Sequence, residues 1–135
     1  MKLIKHFFMV FLLTAVLILL GCAGTKIYEN ISIQEAVELI ENNKNNPDFT
    51  ILDVRTLNEY ETGHIQGAIN LDFNAATFRD ELDKLNKKNP CLVYCQSAIR
   101  SGQAMRIMES LGFKEVYNLS GGITDWIAGG LPVVK

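Results

Sequence analysis

Histidine is almost missing from this sequence: two residues in 135, His6 and His64. Only His64 lies beyond the N-terminal apolar segment, so the cysteine–histidine couple usual in peptide hydrolysis has little to draw on. Cysteine is scarce too, with Cys22, Cys91 and Cys95 the complete set. Two cysteines and one histidine at these spacings do not compose a tetrahedral zinc site, and no metal is expected. Cys91 and Cys95 close the two ends of the apolar run "CLVYC". As a strand, that run holds their Cα atoms roughly 13 Å apart, beyond the ~7 Å reach of a disulfide. Basic clusters are absent and the formal net charge is −2, which removes nucleic acid from the expected partners. No glycine loop suited to phosphate and no dinucleotide fingerprint occurs, so no cofactor is expected. Repeats and low-complexity tracts are also missing.

What is present begins with one long apolar run, Phe7 to Leu20, broken only by Thr14 and preceded by Lys2 and Lys5. It is short for a bilayer span, which takes roughly 20 apolar residues, and it fits the core of a secretory signal. The run closes on "LLGC", Leu19–Cys22, which resembles the lipobox of bacterial lipoproteins. That resemblance implies cleavage before Cys22 and a diacylglycerol on its sulfur, a two-chain anchor sufficient for stable attachment. The expected organisation is a lipoprotein-type signal peptide at 1–21, a lipidated cysteine and tether at 22–27, and one domain at 28–135. The expected location is the bacterial cell envelope, lipid-anchored and facing outward. Ala23 lacks the aspartate that commonly retains lipoproteins in an inner membrane, which favours an outer-membrane or surface position. An uncleaved N-terminal membrane anchor is the other reading of the same run.

The remaining chain alternates strand-like and helix-like patterns. Ser32 and Glu35 form a capping box for a helix to about Asn42, with Ile33, Ala36, Val37 and Ile40 at helical spacing. "TILDV" (50–54) and "CLVYC" (91–95) are mostly apolar, as in strands covered on both faces of a parallel sheet. Thr56 and Glu59 box a short helix, "AINL" follows as a strand, and residues 75–86 suit a helix with Phe78, Leu82 and Leu85 inward. Residues 100–111 suit another helix, ended by Gly112. "EVYNL" makes a last strand and Ile123 to Ala128 a last short helix. The pattern predicts a single α/β domain with a largely parallel sheet.

In such sheets, sites form in loops leaving the carboxyl ends of strands. "CQSAIRS", residues 95–101, occupies that position between "CLVYC" and a helix. The thiolate is the reactive form of cysteine. The unpartnered amides and dipole of a following helix favour an anion there. Arg100 adds a positive charge and a fork suited to an oxyanion. Ser97 and Ser101 offer hydroxyls and Gln96 an amide. Cys95 can thus be held as thiolate with no histidine beside it, ready to attack a sulfur or phosphorus centre.

Three segments then resemble the signature blocks of single-domain rhodaneses, the sulfurtransferases: "ILDVRTLNEYETGHIQGAINL" (51–71), "CLVYCQSAIRSGQAM" (91–105) and "LGFKEVYNLSGGITDW" (111–126). The resemblance implies a five-stranded α/β domain with helices on both faces, in which Cys95 becomes a persulfide and Arg100 closes the loop and holds the anionic donor. It implies a small sulfur-containing anion such as thiosulfate as donor and a thiol or cyanide as acceptor. Related phosphatases and arsenate reductases place five residues between cysteine and arginine. Here Gln96, Ser97, Ala98 and Ile99 are four, the sulfurtransferase length. Ala98 stands where the family usually has glycine, so at positive φ it costs about 1 kcal/mol or more. An alternative of a different class is a non-catalytic binding module of the same fold, tethered at the envelope.

Other residues take structural expectations. Asp53 and Arg55 support the loops, and His64 fixes a loop by hydrogen bonding. Trp126 packs in the core or beside the active loop, Gly121 and Gly122 supply a turn, and Cys91 is a buried strand residue. Glu59, Glu61, Asp80, Glu81 and Asp83 are expected on solvated helix faces.

Overall fold

A computed structural model describes residues 24–135; the expected leader, with the expected lipidation site Cys22, lies outside them. Five strands are formed: β1 (Ile27–Ile31), β2 (Thr50–Asp53), β3 (Ile69–Asn70), β4 (Cys91–Tyr94) and β5 (Glu115–Leu119). Five helices follow them in turn: α1 (Ile33–Asn43), α2 (Leu57–Thr62), α3 (Phe78–Asp83), α4 (Ile99–Leu111) and α5 (Gly122–Ala128). The strands make one sheet in the order β1-β5-β4-β2-β3, with every pairing parallel. The fold is the single α/β domain expected.

The side-chain alternation of β4 divides the core between two faces. Cys91, Val93 and Cys95 point to one face, packed with Phe78 and Leu82 of α3 and Ala104 and Met108 of α4. Leu92 and Tyr94 point to the other, with Ala36 of α1 and Ile123 and Trp126 of α5. A strand covered on both sides has no polar face to show, so β4 reads as a continuous apolar run. The order of the strands also fixes where a site can open. From β2 the chain crosses to β3 at one edge, and from β4 it crosses to β5 on the opposite side. Their outgoing loops part between β2 and β4, the crevice such sheets offer to ligands.

Both capping boxes are present, at Ser32/Glu35 and Thr56/Glu59. The third helix is shorter than the expected 75–86, running from Phe78 to Asp83. Polar side chains at both ends compete with helical bonding: Asp72 accepts from the Asn74 amide and Asn86 from the Lys88 amide. The expected strand "AINL" contracts to Ile69 and Asn70 at the sheet edge. The C-terminal segment returns to the site end of the molecule, where His64 and Val134 form an antiparallel bridge. Trp126 donates its indole N–H to the Pro132 carbonyl, 2.9 Å, tying that return to the core.

Candidate active site

Cys95 follows the last residue of β4, and α4 begins four residues later at Ile99. To turn from strand to helix so sharply, Ala98 adopts the left-handed conformation, φ 76° and ψ −4°. It is the only non-glycine residue with positive φ among the described residues, which confirms the expected strain. Left-handed geometry at this point curls successive amides inward, a concavity that favours anions.

The cysteine is 1% exposed, at the floor of the loop. Burial raises the pKa of its thiol, and hydrogen bonds from the Ser101 hydroxyl and from the amides of Ser101, Ser97 and Ala98 outweigh that effect. The net result lies below the ordinary value. The Ser101 hydroxyl donates to Sγ at 3.3 Å and is itself fully buried. Cys91 provides the contrast: buried and without such donors, its thiol is pushed up to about 12 by desolvation alone. Both thiols are free. One thiol is hydrogen-bonded and lowered, the other desolvated and raised.

The loop's carbonyls are taken up on its outer side by α5. Ile123 N–H donates to the Cys95 carbonyl, 2.9 Å, and Thr124 N–H to that of Gln96, 3.2 Å. The Thr124 hydroxyl also donates to the Gln96 carbonyl, 2.9 Å, and accepts from the Gln96 side-chain amide, 2.8 Å. With carbonyls anchored outward, amides are left to face the sulfur. Gly122 makes this contact possible. A Cβ there would lie 2.5 Å from the Cys95 carbonyl oxygen and 2.6 Å from Gln96 backbone atoms. The expectation that Gly122 merely supplies a turn is therefore too weak, and the role of Thr124 was not visible in the sequence.

In the expected substrate-binding loop of Gln96, Ser97, Ala98, Ile99 and Ser101, the Gln96 side chain is hydrogen-bonded to Thr124 and Ile99 is 70% exposed. Another expectation is corrected. Glu59 is not a free solvated side chain. Its two carboxylate oxygens receive both terminal nitrogens of Arg100, at 2.8 and 2.9 Å, while one of them also caps Thr56. The hydrogen bonds from Arg100 are the main reason Glu59 is held down to about 2. The guanidinium expected to meet an oxyanion is thus engaged with a carboxylate.

Asp53 and Arg55, expected to support the loops, are joined to each other. They form a buried ion pair, Nη2 to Oδ2 2.7 Å, and the same Nη2 donates to the Gly63 carbonyl at 2.7 Å. The Asn70 amide bridges the carbonyls of Asp53 and Arg55. Together these bonds fix the loop leaving β2 beside the one leaving β4. His64 stacks on Tyr60 with ring centroids 3.7 Å apart and places Nδ1 3.1 Å from the Tyr60 carbonyl, the loop-fixing role expected.

Comparison with known proteins agrees with this geometry. A family model described as "Rhodanese-like domain" matches residues 32–129. The chain is 39% identical over 101 residues to thiosulfate sulfurtransferase GlpE of Coxiella burnetii, covering 75% of this chain and 89% of that protein. It is 36% identical over 88 residues to the tRNA uridine(34) hydroxylase of Teredinibacter turnerae, covering 60% of this chain but 26% of that longer protein. Among solved structures, a rhodanese-related protein from Thermoplasma volcanium superposes with a TM-score of 0.66 at 33% identity, over 79% of this chain and 98% of that one.

Proposed function

This chain belongs to the rhodanese-like domain family, and on that premise we propose that it is a sulfurtransferase working through a persulfide on Cys95. The observation that carries the proposal is a buried cysteine whose pKa is lowered by a serine hydroxyl and three loop amides, with no general base needed. The Cys95 thiolate attacks the outer sulfur of a donor such as thiosulfate. The donor's S–S bond breaks, sulfite leaves with the electron pair, and Cys95 carries a persulfide. The negative outer sulfur then lies where inward-facing amides and the N-terminus of α4 favour an anion. A thiol or cyanide attacks that outer sulfur, and the cysteine thiolate leaves with the pair, ready for another cycle. Asp53 and Arg55 act as structural support, while Arg100 ties the loop to α2 through Glu59.

Thiocyanate formation from thiosulfate and cyanide tests the reading: turnover is expected in the wild type and none in Cys95→Ser of equal thermal stability. The binding-module reading draws its best support from Ala98 in the loop. The converging amides favour the enzyme, because they keep their direction despite that strain.

Attachment to a membrane through a diacylated Cys22, facing outward in the cell envelope, is part of the proposal and rests on the sequence Leu19–Cys22. Metabolic labelling with a fatty acid tests it: label is expected on the wild type and absent from Cys22→Ser. Equal labelling of the two would refute the anchor.

A further inference from the structure

Arg100 is the only charged residue between Cys95 and Ser101, and its guanidinium is held face to face by one carboxylate. Nη1 meets Glu59 Oε2 at 2.9 Å and Nη2 meets Oε1 at 2.8 Å. The two side chains are 24% and 33% exposed, so the pair is close and partly withdrawn from water. At such range a carboxylate cancels most of the field that the guanidinium would project into the loop. After Glu59, the Cys95 thiolate and then Asp72 are the further negative charges acting on the same arginine. The other arginine of the neighbouring loop, Arg55, is committed to buried Asp53. What remains to receive a donor is a set of neutral hydrogen-bond donors around a thiolate. Neutral donors bind one negative charge well. They give little return for a second, which a thiolate nucleophile also repels.

Resting on the sulfur-transfer reading, we propose that Glu59 is a specificity-determining residue: by occupying the Arg100 fork it selects donors carrying one negative charge, such as thiosulfonates and thiol persulfides, over dianionic thiosulfate. Glu59 touches neither sulfur nor donor, so its action passes through Arg100 and it is a positioning residue. The chemistry is the same for either donor class. The Cys95 thiolate forms a bond to the terminal sulfur, the donor's S–S bond breaks, and a sulfinate or thiolate leaves with the electron pair.

Methanethiosulfonate and thiosulfate provide the test, since each delivers one terminal sulfur but they carry one and two charges. Thiocyanate formation by the full chain is measured with each donor at saturating cyanide, for wild type, Glu59→Gln and Thr56→Ala. Glutamine retains an oxygen for the helix cap while removing the charge; Thr56→Ala weakens the same cap and keeps the charge. The wild type is expected to show the higher kcat/KM for methanethiosulfonate. Glu59→Gln should move the ratio of the two kcat/KM values toward thiosulfate by roughly three- to ten-fold, mainly through KM, as one partly screened unit charge would. Thr56→Ala should leave the ratio in place. A wild-type preference for thiosulfate, a ratio unmoved in Glu59→Gln, or an equal shift in Thr56→Ala would overturn the assignment. Absence of thiocyanate with both donors in the wild type would instead remove the sulfur-transfer reading on which it rests.

Discussion

Ala98 carries the clearest local cost in the molecule. An L-residue in left-handed backbone gives up roughly 1–2 kcal/mol, and glycine there would recover part of it, less its greater freedom in the unfolded chain. Ala98→Gly is expected to raise stability by about 0.5–1 kcal/mol, read from denaturant midpoints, with the amide ring unchanged. The sequence disclosed this strain because a sharp strand-to-helix turn demands a left-handed residue. Ser101 sets the reactivity of the sulfur beside it. Its hydroxyl is the main influence lowering the Cys95 thiol against the opposing effect of burial. Ser101→Ala should therefore raise the thiol pKa, moving the pH profile of iodoacetamide alkylation at Cys95 to higher pH. Glu59 shows where reading residues in order falls short. Its cap to Thr56 spans three positions and was legible; its second partner lies 41 positions away, and no local pattern encodes that meeting.

At the scale of elements, the active loop is held from two sides, by α5 through its carbonyls and by α2 through the Arg100–Glu59 pair. Gly122 at the start of α5 combines φ +61° with direct backbone contact against Cys95 and Gln96. Gly122→Ala is expected to cost about 2 kcal/mol or more in stability, from left-handed strain and overpacking together. It should also slow sulfur uptake by Cys95 in single-turnover measurements, because the loop must shift to admit the methyl. The α2–α4 link carries a pH signature. Glu59 is lowered from 4.5 to about 2, so the stabilisation from its ionised form is complete above pH 4.5 and is lost as pH falls toward 2. The stability difference between wild type and Glu59→Gln should shrink across that interval in acid denaturation. A constant difference would mean that the carboxylate is not held by Arg100. Element positions were largely legible because capping boxes and apolar periodicity are local. The shortened α3 was not, since Asp72 and Asn86 divert backbone amides into turns at its ends.

For the whole molecule, β4 lies at the middle of an all-parallel sheet and delivers Cys95 to the crevice beside β2. The alternation of patterns implied such a sheet, and the three signature segments implied its family. Strand order was not contained in periodicity, nor was the return of the C-terminal segment to His64, because both are set by packing between distant segments. The central claim is that this architecture makes one of its two described cysteines a carrier of sulfur. Intact mass of residues 24–135, after incubation with thiosulfate or methanethiosulfonate, tests it most directly. The account predicts a gain of one sulfur atom, reversed by cyanide or dithiothreitol and absent in Cys95→Ser. A folded protein that takes up no sulfur from either donor, or that takes it up equally in Cys95→Ser, would contradict it.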